Sequence, residues 1–322
     1  MKIAVIGSGV LGSLAAFWAK NAGHHVTLFD AEEFIPKTTL RTTSIVALRG
    51  TKRGLSPLGD LICDSFQSFE VFFKKYQPHG VEVGSETVLW RTDMKDKYQK
   101  RYPQSFKLSS FEELVFRQEL NSCTSNVYHI YPTEFLKWLN ADLEIANELV
   151  LKVSEGTVFT MESEQTFDHV LFANSHGINS VQAAHNEETL QYLSKCSTVK
   201  GDYFYFDYNP TAFSNHSFEF EGVHLIFRKD HMLVGSSSDK VDHLLFHKKS
   251  ERIFDHLENF IDFEFPKKRE FISGLRQKGA KRTPFCYVDQ YQSYLLGGYK
   301  NAFLFAPHLA KIWLKELEKA FL

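Results

Sequence analysis

Apolar positions along this chain fall into two kinds of run, short continuous ones and longer ones spaced by three and four residues. Ile3-Ala4-Val5-Ile6 is continuous, as a strand buried on both faces requires. Leu11, Leu14, Ala15 and Trp18 then recur at helical steps, Gly23 closes that helix, and Val26 to Phe29 gives a second strand ending on Asp30. Leu58 to Tyr76 carries Leu61, Phe69, Phe72 and Phe73 at helical spacing and predicts one long helix. Val81 to Thr92 alternates through Val81, Val83, Val88 and Trp90, which predicts strands. Residues 95–125 are polar and Lys-rich and give no firm pattern. Pro132 opens a helix with Phe135, Leu136, Trp138 and Leu139 inward.

The second half is richer in strands. Leu149–Lys152, Val158–Met161 and Asp168–Ala173 read as three of them, the last apolar throughout at Val170-Leu171-Phe172-Ala173. Tyr203–Tyr208, Val223–Phe227 and Met232–Gly235 alternate, with turns between, and predict an antiparallel sheet. Lys240–Phe263 reads as a helix, Phe271–Arg276 and Tyr294–Leu296 as strands, and Pro307–Phe321 as an amphipathic helix.

The first thirty residues also carry candidate chemistry. Gly7-Ser8-Gly9-Val10-Leu11-Gly12 joins strand to helix, and Asp30 lies 18 residues beyond Gly12. Gly7 allows the tight turn, Gly9 lets a pyrophosphate reach backbone, and Gly12 lets helix and strand pack closely. The helix N-terminus holds phosphates through free N–H groups, and an acid about 20 residues on accepts from a ribose hydroxyl. The flanking strand, helix and acid are the context that turns a glycine pattern into a dinucleotide site. The same stretch, one Lys followed by uncharged Ile3 to Ala19, also has the make-up of a signal peptide; the spaced glycines and the strand closing on Asp30 argue against that.

Composition narrows the class. A chain of 322 residues holds about two domains. The formal net charge of −2 recommends neither nucleic acid nor an anionic membrane, and no apolar run beyond the first reaches membrane-helix length. Thirty Phe and thirteen Tyr point to aromatic cores. Cys63, Cys123, Cys196 and Cys286 are scattered without a CxxC, so they read as reduced thiols of a cytoplasmic protein. His243 and His247 stand four apart, but no third ligand has suitable spacing, so no metal site is expected. The strand 168–173 and the last helix look like returns to the nucleotide unit. A nicotinamide dehydrogenase completes that unit early; an interrupted layout favours a flavin.

At this point the chain resembles the FAD-dependent D-amino-acid-oxidase-like family, and within it glycine oxidase and sarcosine oxidase-type enzymes. The segments that carry the likeness are Arg41-Thr42-Thr43-Ser44, Ser56-Pro57-Leu58, Asp168 to Ala173, Val199-Lys200-Gly201, Gly274-Leu275-Arg276 with Pro284 eight residues on, and Gly298 to Pro307. The resemblance implies an α/β fold: a Rossmann-like FAD-binding domain interrupted by an antiparallel-sheet substrate domain, of glutathione-reductase-2-like architecture. It places the FAD domain at 1–76, 144–200 and 285–322, and the substrate domain at 77–143 and 201–284. It implies noncovalent FAD held by Gly7, Gly9, Val10, Leu11, Gly12, Asp30, Arg41, Thr42, Thr43, Ser44, Ala173, Gly298, Asn301, Phe303 and Leu304. It implies oxidation of the C–N bond of an amino acid or N-substituted glycine by hydride transfer to flavin N5.

In that reading Arg276 is the two-pronged carboxylate ligand, a task for which Arg is suited and Lys is not. Lys300 stands where glycine oxidases carry an Arg and would stabilise negative charge on the reduced flavin. The basic stretch 267–282, with Lys267, Lys268, Arg269, Lys278, Lys281 and Arg282 besides Arg276, reads as a solvated face, a rim for a multi-carboxylate substrate, or a contact for tRNA. Several family positions are altered: Ile45-Val46-Ala47-Leu48 replaces small residues, Lys281 replaces an Asp, Ala173-Asn174-Ser175 replaces an Ala-x-Gly turn, Ala302 replaces a Gly, and Ala306-Pro307-His308 lacks the usual Thr-Gly. These changes keep open the alternative of a catalytically altered flavoprotein.

Overall fold

The structure, a computed structural model, describes the chain apart from residues 32–36, 95–97, 209–212, 238, 241–246 and 322. The run Lys2–Ile6 forms the centre of a six-stranded sheet. Across the sheet the order is Phe285–Val288, Gln292–Leu296, His169–Phe172, Lys2–Ile6, His25–Phe29, Glu144–Ala146, and only the Phe285–Val288 edge strand is antiparallel. The central strand is thus flanked by His25–Phe29 and by a strand that returns from far along the chain, which is the interrupted layout expected.

Both faces of this sheet are covered, which is why its strands read as unbroken apolar runs. The helices Val10–Asn21, Pro132–Leu139 and Ala302–Ala320 bury Leu14, Ala15, Leu136, Leu309 and Trp313 on one face together with Phe69 and Phe72 of the long helix Pro57–Tyr76. The other face packs against Val153, Val158 and Phe167 around a small sheet of Glu164–Thr166, Thr157–Phe159, Lys152–Ser154 and Gln182–Ala183. Residues 148–173 therefore hold one strand more than the pattern predicts, because Glu164–Thr166 carries no apolar signal.

The second body is a largely antiparallel sheet, eleven-stranded among the described residues. At its middle lie Ser197–Phe206, Met232–Gly235, Val223–Phe227, His216–Phe220, Val81–Trp90 and Leu114–Ile130, with Glu270–Lys278 paired on the first of these. Alternation divides its two faces. Phe204, Phe206, Phe218, Phe220 and Phe227 point to one side and build an aromatic core under the helix His247–Glu258. The opposite face carries Glu86, Trp90, Glu219 and His224, which share side by the two-residue period and the cross-strand register Glu219↔Val88 and Glu219↔His224. Tyr98 and Tyr102 stack on Trp90 there, at 5.1 and 5.4 Å between ring centroids.

Three sequence expectations are corrected. The unplaced region 95–125 contains the strand Phe106–Phe111 and most of the 17-residue strand Leu114–Ile130, whose polar residues hid the alternation. The helix expected over Lys240–Phe263 spans His247–Glu258, and Ile261–Asp262 is a strand. The last helix starts at Ala302, not Pro307, because Ala302 to Ala306 is an apolar, helix-compatible run and Pro307 falls near the N-terminal end, where a missing N–H disturbs least. His243 lies outside the described residues; among those described, no cluster of three metal-ligating side chains occurs and no helix is long and apolar enough to cross a membrane. The four cysteines are free.

Candidate cofactor and substrate site

The site begins where the central strand turns into its helix. Gly7 has φ +103°, and a Cβ there would sit 2.8 Å from Cα of Asn174, so the strand ends close against the turn after His169–Phe172. A Cβ on Gly12 would run into the Gly7 carbonyl, so the third glycine is set by packing. Gly9 caps the helix without any side-chain hydrogen bond, and the Val10 N–H donates to Oγ1 of Thr39 at 3.1 Å. Asp30, only 6 % exposed, accepts from the Ser8 hydroxyl and pairs with Nζ of Lys37 at 2.5 Å.

These groups open on a cleft of about 1130 Å³ of empty space, mouth included. Of the residues singled out from sequence, Gly7, Gly9, Val10, Leu11, Asp30, Ala173, Gly298 and Arg276 line it, while Gly12 packs beneath. Arg41 to Ser44 run beside the cleft without lining it. There Nη1 of Arg41 donates to the Ser273 carbonyl at 3.3 Å, and the buried Arg228 donates through Nη2 to the carbonyls of Thr43, at 2.8 Å, and Ser44, at 3.3 Å. Asn301 sits at the N-terminus of the last helix, and Phe303 and Leu304 are buried in the core below, away from the cleft lining.

Arg276 is 6 % exposed, and its Nη1 has no hydrogen-bond partner. Burial lowers its pKa from the usual guanidinium value, opposed by Tyr299, Asp202 and Tyr203. Its head occupies the space where a side chain on Gly201 would stand. Lys300, two residues beyond Gly298, is exposed as a residue, yet its ammonium is hemmed in. Partial desolvation, then the nearby Arg276, Arg49 and Arg282, bring its pKa down to about 8, while Glu219 opposes them. Lys281 and Arg282 of the basic stretch face solvent, whereas Arg276 turns inward, so the stretch is not one surface patch.

Sequence reading missed the polar group on the inner face of the large sheet. Glu86 is fully buried and accepts from Nε of Arg49 at 3.2 Å, while its Oε1 has no hydrogen bond. Nδ1 of His224 stands 3.7 Å from that oxygen. Burial, with Arg49, Lys300 and Arg276 adding to it, drives the His224 pKa well below its usual value, so the ring is neutral at pH 7. The one available sequence signal was an acid at an alternating strand position, Glu86 between Ser85 and Thr87. Lys37, Thr39 and Arg228 carried none.

A mostly parallel sheet with a glycine turn, a helix N-terminus and a buried acid, joined to an antiparallel sheet over one cleft, is the architecture of a dinucleotide-cofactor oxidoreductase. The family model for FAD-dependent oxidoreductases, DAO, matches residues 2–316, and the chain belongs to that family. Glycine oxidase from Bacillus cereus ATCC 14579 is similar in structure at 16% identity and TM-score 0.76, over 99% of this chain and 97% of that one. Iminodiacetate oxidase (IdaA) from Chelativorans sp. BNC1 matches at 14% identity and TM-score 0.74, over 98% and 95%. L-α-glycerophosphate oxidase from Mycoplasma pneumoniae, with FAD bound, matches at 15% identity and TM-score 0.74, over 98% and 94%. Comparison with curated proteins finds no match.

FAD is accordingly the cofactor of this oxidoreductase. The cleft fits it: side chains at Gly7 and Gly12 would collide with backbone, helix amides face the turn, and Asp30 presents a buried carboxylate.

Proposed function

We propose that the chain oxidises the C–N bond of an amino acid or N-substituted glycine, with noncovalent FAD. The observation that carries this reading is Arg276, a buried guanidinium at the cleft with an unpartnered Nη1. A buried cation without full pairing is costly, and a carboxylate arriving in the cleft satisfies it in bidentate geometry. Lys300 adds a second positive group at the same end.

For the cofactor, the amides at the Gly9 to Leu11 turn would hold the pyrophosphate, with Asp30 accepting from a ribose hydroxyl. Lys37, paired with Asp30, lines the same cleft. Arg41 to Ser44, fixed from behind by Arg228, would border the flavin, as would Gly298 and Asn301. When bound, FAD supplies the two-electron acceptor for the substrate carbon. The protein's share is to orient the substrate by its carboxylate at Arg276 and to exclude water between the two sheets. The partition into a cofactor domain (1–76, 144–200, 285–322) and a substrate domain (77–143, 201–284) belongs to the same proposal. The names of similar structures, glycine oxidase and iminodiacetate oxidase, support an amine substrate.

The test is anaerobic bleaching of the purified flavoprotein by a panel of amino acids and N-alkyl glycines. Bleaching by a member of the panel is expected, and none by any of them would refute amine oxidation. Acid precipitation should leave all the flavin in the supernatant.

A further inference from the structure

Resting on the amine-oxidation reading, we infer that Glu219 receives the substrate's ammonium group and takes a proton from it, so that the zwitterion of an amino acid is the form that binds. Glu219 lies on His216–Phe220 between Phe218 and Phe220, both 0 % exposed in the aromatic core. Its own side chain therefore points to the inner face of the sheet, beside its register partner His224. Register carried from Glu219 through His224, Gly235 and Tyr203 to Ile272 puts Glu219 and Arg276 on one face of the large sheet, and Lys300 lies within electrostatic reach of both.

Glu219 has neither a hydrogen bond nor an ion pair among the described residues, whereas the neighbouring acid, Glu86, is committed to Arg49. An unpaired carboxylate on the covered face of a sheet is unfavourable unless a cation arrives there. With Arg276 at one end and Glu219 at the other, the site presents opposite charges to a molecule that carries both. The nitrogen must have a free electron pair before its carbon is oxidised, and an ammonium has none. One N–H bond breaks, its electron pair stays on nitrogen, and the proton goes to a Glu219 carboxylate oxygen. No electron changes hands in this step, and the proton leaves afterwards to solvent, to which the side chain is partly exposed.

The surroundings suit an acceptor. Burial raises the Glu219 pKa and Glu86 adds to it, while Arg49, Arg101 and Lys300 hold it down. The other ionisable neighbours stay neutral at pH 7: His224 lies well below its ordinary value, and burial pushes Tyr98 up to about 12 and Tyr102 higher still.

Two isosteres test the inference on the holoenzyme without turnover: trimethylglycine, which carries a fixed cation, and 3,3-dimethylbutanoate, which does not. Binding is read by calorimetry and by perturbation of the flavin bands. Wild type should prefer trimethylglycine about tenfold, and Glu219→Gln should erase that preference while Glu219→Asp retains part of it. Glu219→Gln should also shift the rise of flavin reduction with pH upward, toward the pKa of the free amine. Equal binding of the two ligands by wild type, binding of neither, or an undiminished preference in Glu219→Gln would overturn the inference. Failure of every amino acid to bleach wild type sinks amine oxidation by itself, and the ligand preference still decides the ammonium site.

Discussion

The Arg276 guanidinium lies against the bare Cα of Gly201: a Cβ added there would meet Cζ, Nη1 and Nη2 alike. The two residues sit on paired antiparallel strands, with Val199 opposite Arg276 and Gly274 opposite Gly201. Gly201 thus sets where the guanidinium rests. Gly201→Ala should displace the head group, raising KM about tenfold or more with normal FAD content, because the strand itself tolerates Ala. Steady-state kinetics beside flavin absorbance check this; an unchanged KM would mean that Arg276 does not hold substrate.

Arg276→Lys keeps the charge but loses the fork. Both KM and kcat should worsen, since the substrate binds less well and sits askew. Stopped-flow flavin reduction as a function of substrate concentration separates the two effects, and wild-type behaviour in both would make Arg276 merely structural.

Asp30→Ala should weaken FAD binding by about 1.5–3 kcal/mol, the worth of a hydrogen bond to a charged group. Flavin fluorescence quenching on titration of the apoprotein measures it.

Lys300 carries a proton below its pKa of about 8 and loses it above. If it helps hold the substrate carboxylate, kcat/KM should fall as pH rises through that region. Lys300→Arg, charged throughout, should remove the inflection; a pH profile unchanged by the substitution would rule Lys300 out as its source.

Arg228 is 2 % exposed, donates to the Thr43 and Ser44 carbonyls, and stands 4.8 Å over the Tyr131 ring. Arg228→Ala leaves both carbonyls without this donor and opens a cavity. A loss of about 2–4 kcal/mol is expected in urea denaturation, together with weaker FAD binding as the segment from Arg41 to Ser44 loosens.

The cofactor half of this protein was written locally. Ile3 to Asp30 is one continuous strand, turn, helix and strand, so its glycines and acid come together through short-range geometry that a linear pattern displays. The burial of Lys2–Ile6 on both faces erased alternation and left the unbroken apolar run that marked it. The buried face of the large sheet was not legible in the same way. Glu86, Glu219 and His224 come from separate strands, Arg49 from a loop, Lys300 from the single helical turn Tyr299–Asn301, and Arg276 from a strand paired far along the chain. Nothing in any one stretch tells an acid turned toward a closed cavity from one turned toward water, because a strand shows the same period either way. Only strand order and register decide which face is covered. That is why the sequence determined a dinucleotide fold with a candidate carboxylate ligand, whereas tertiary structure alone put an unpaired acid and a buried arginine on one face of the large sheet, with a crowded lysine within electrostatic reach of both.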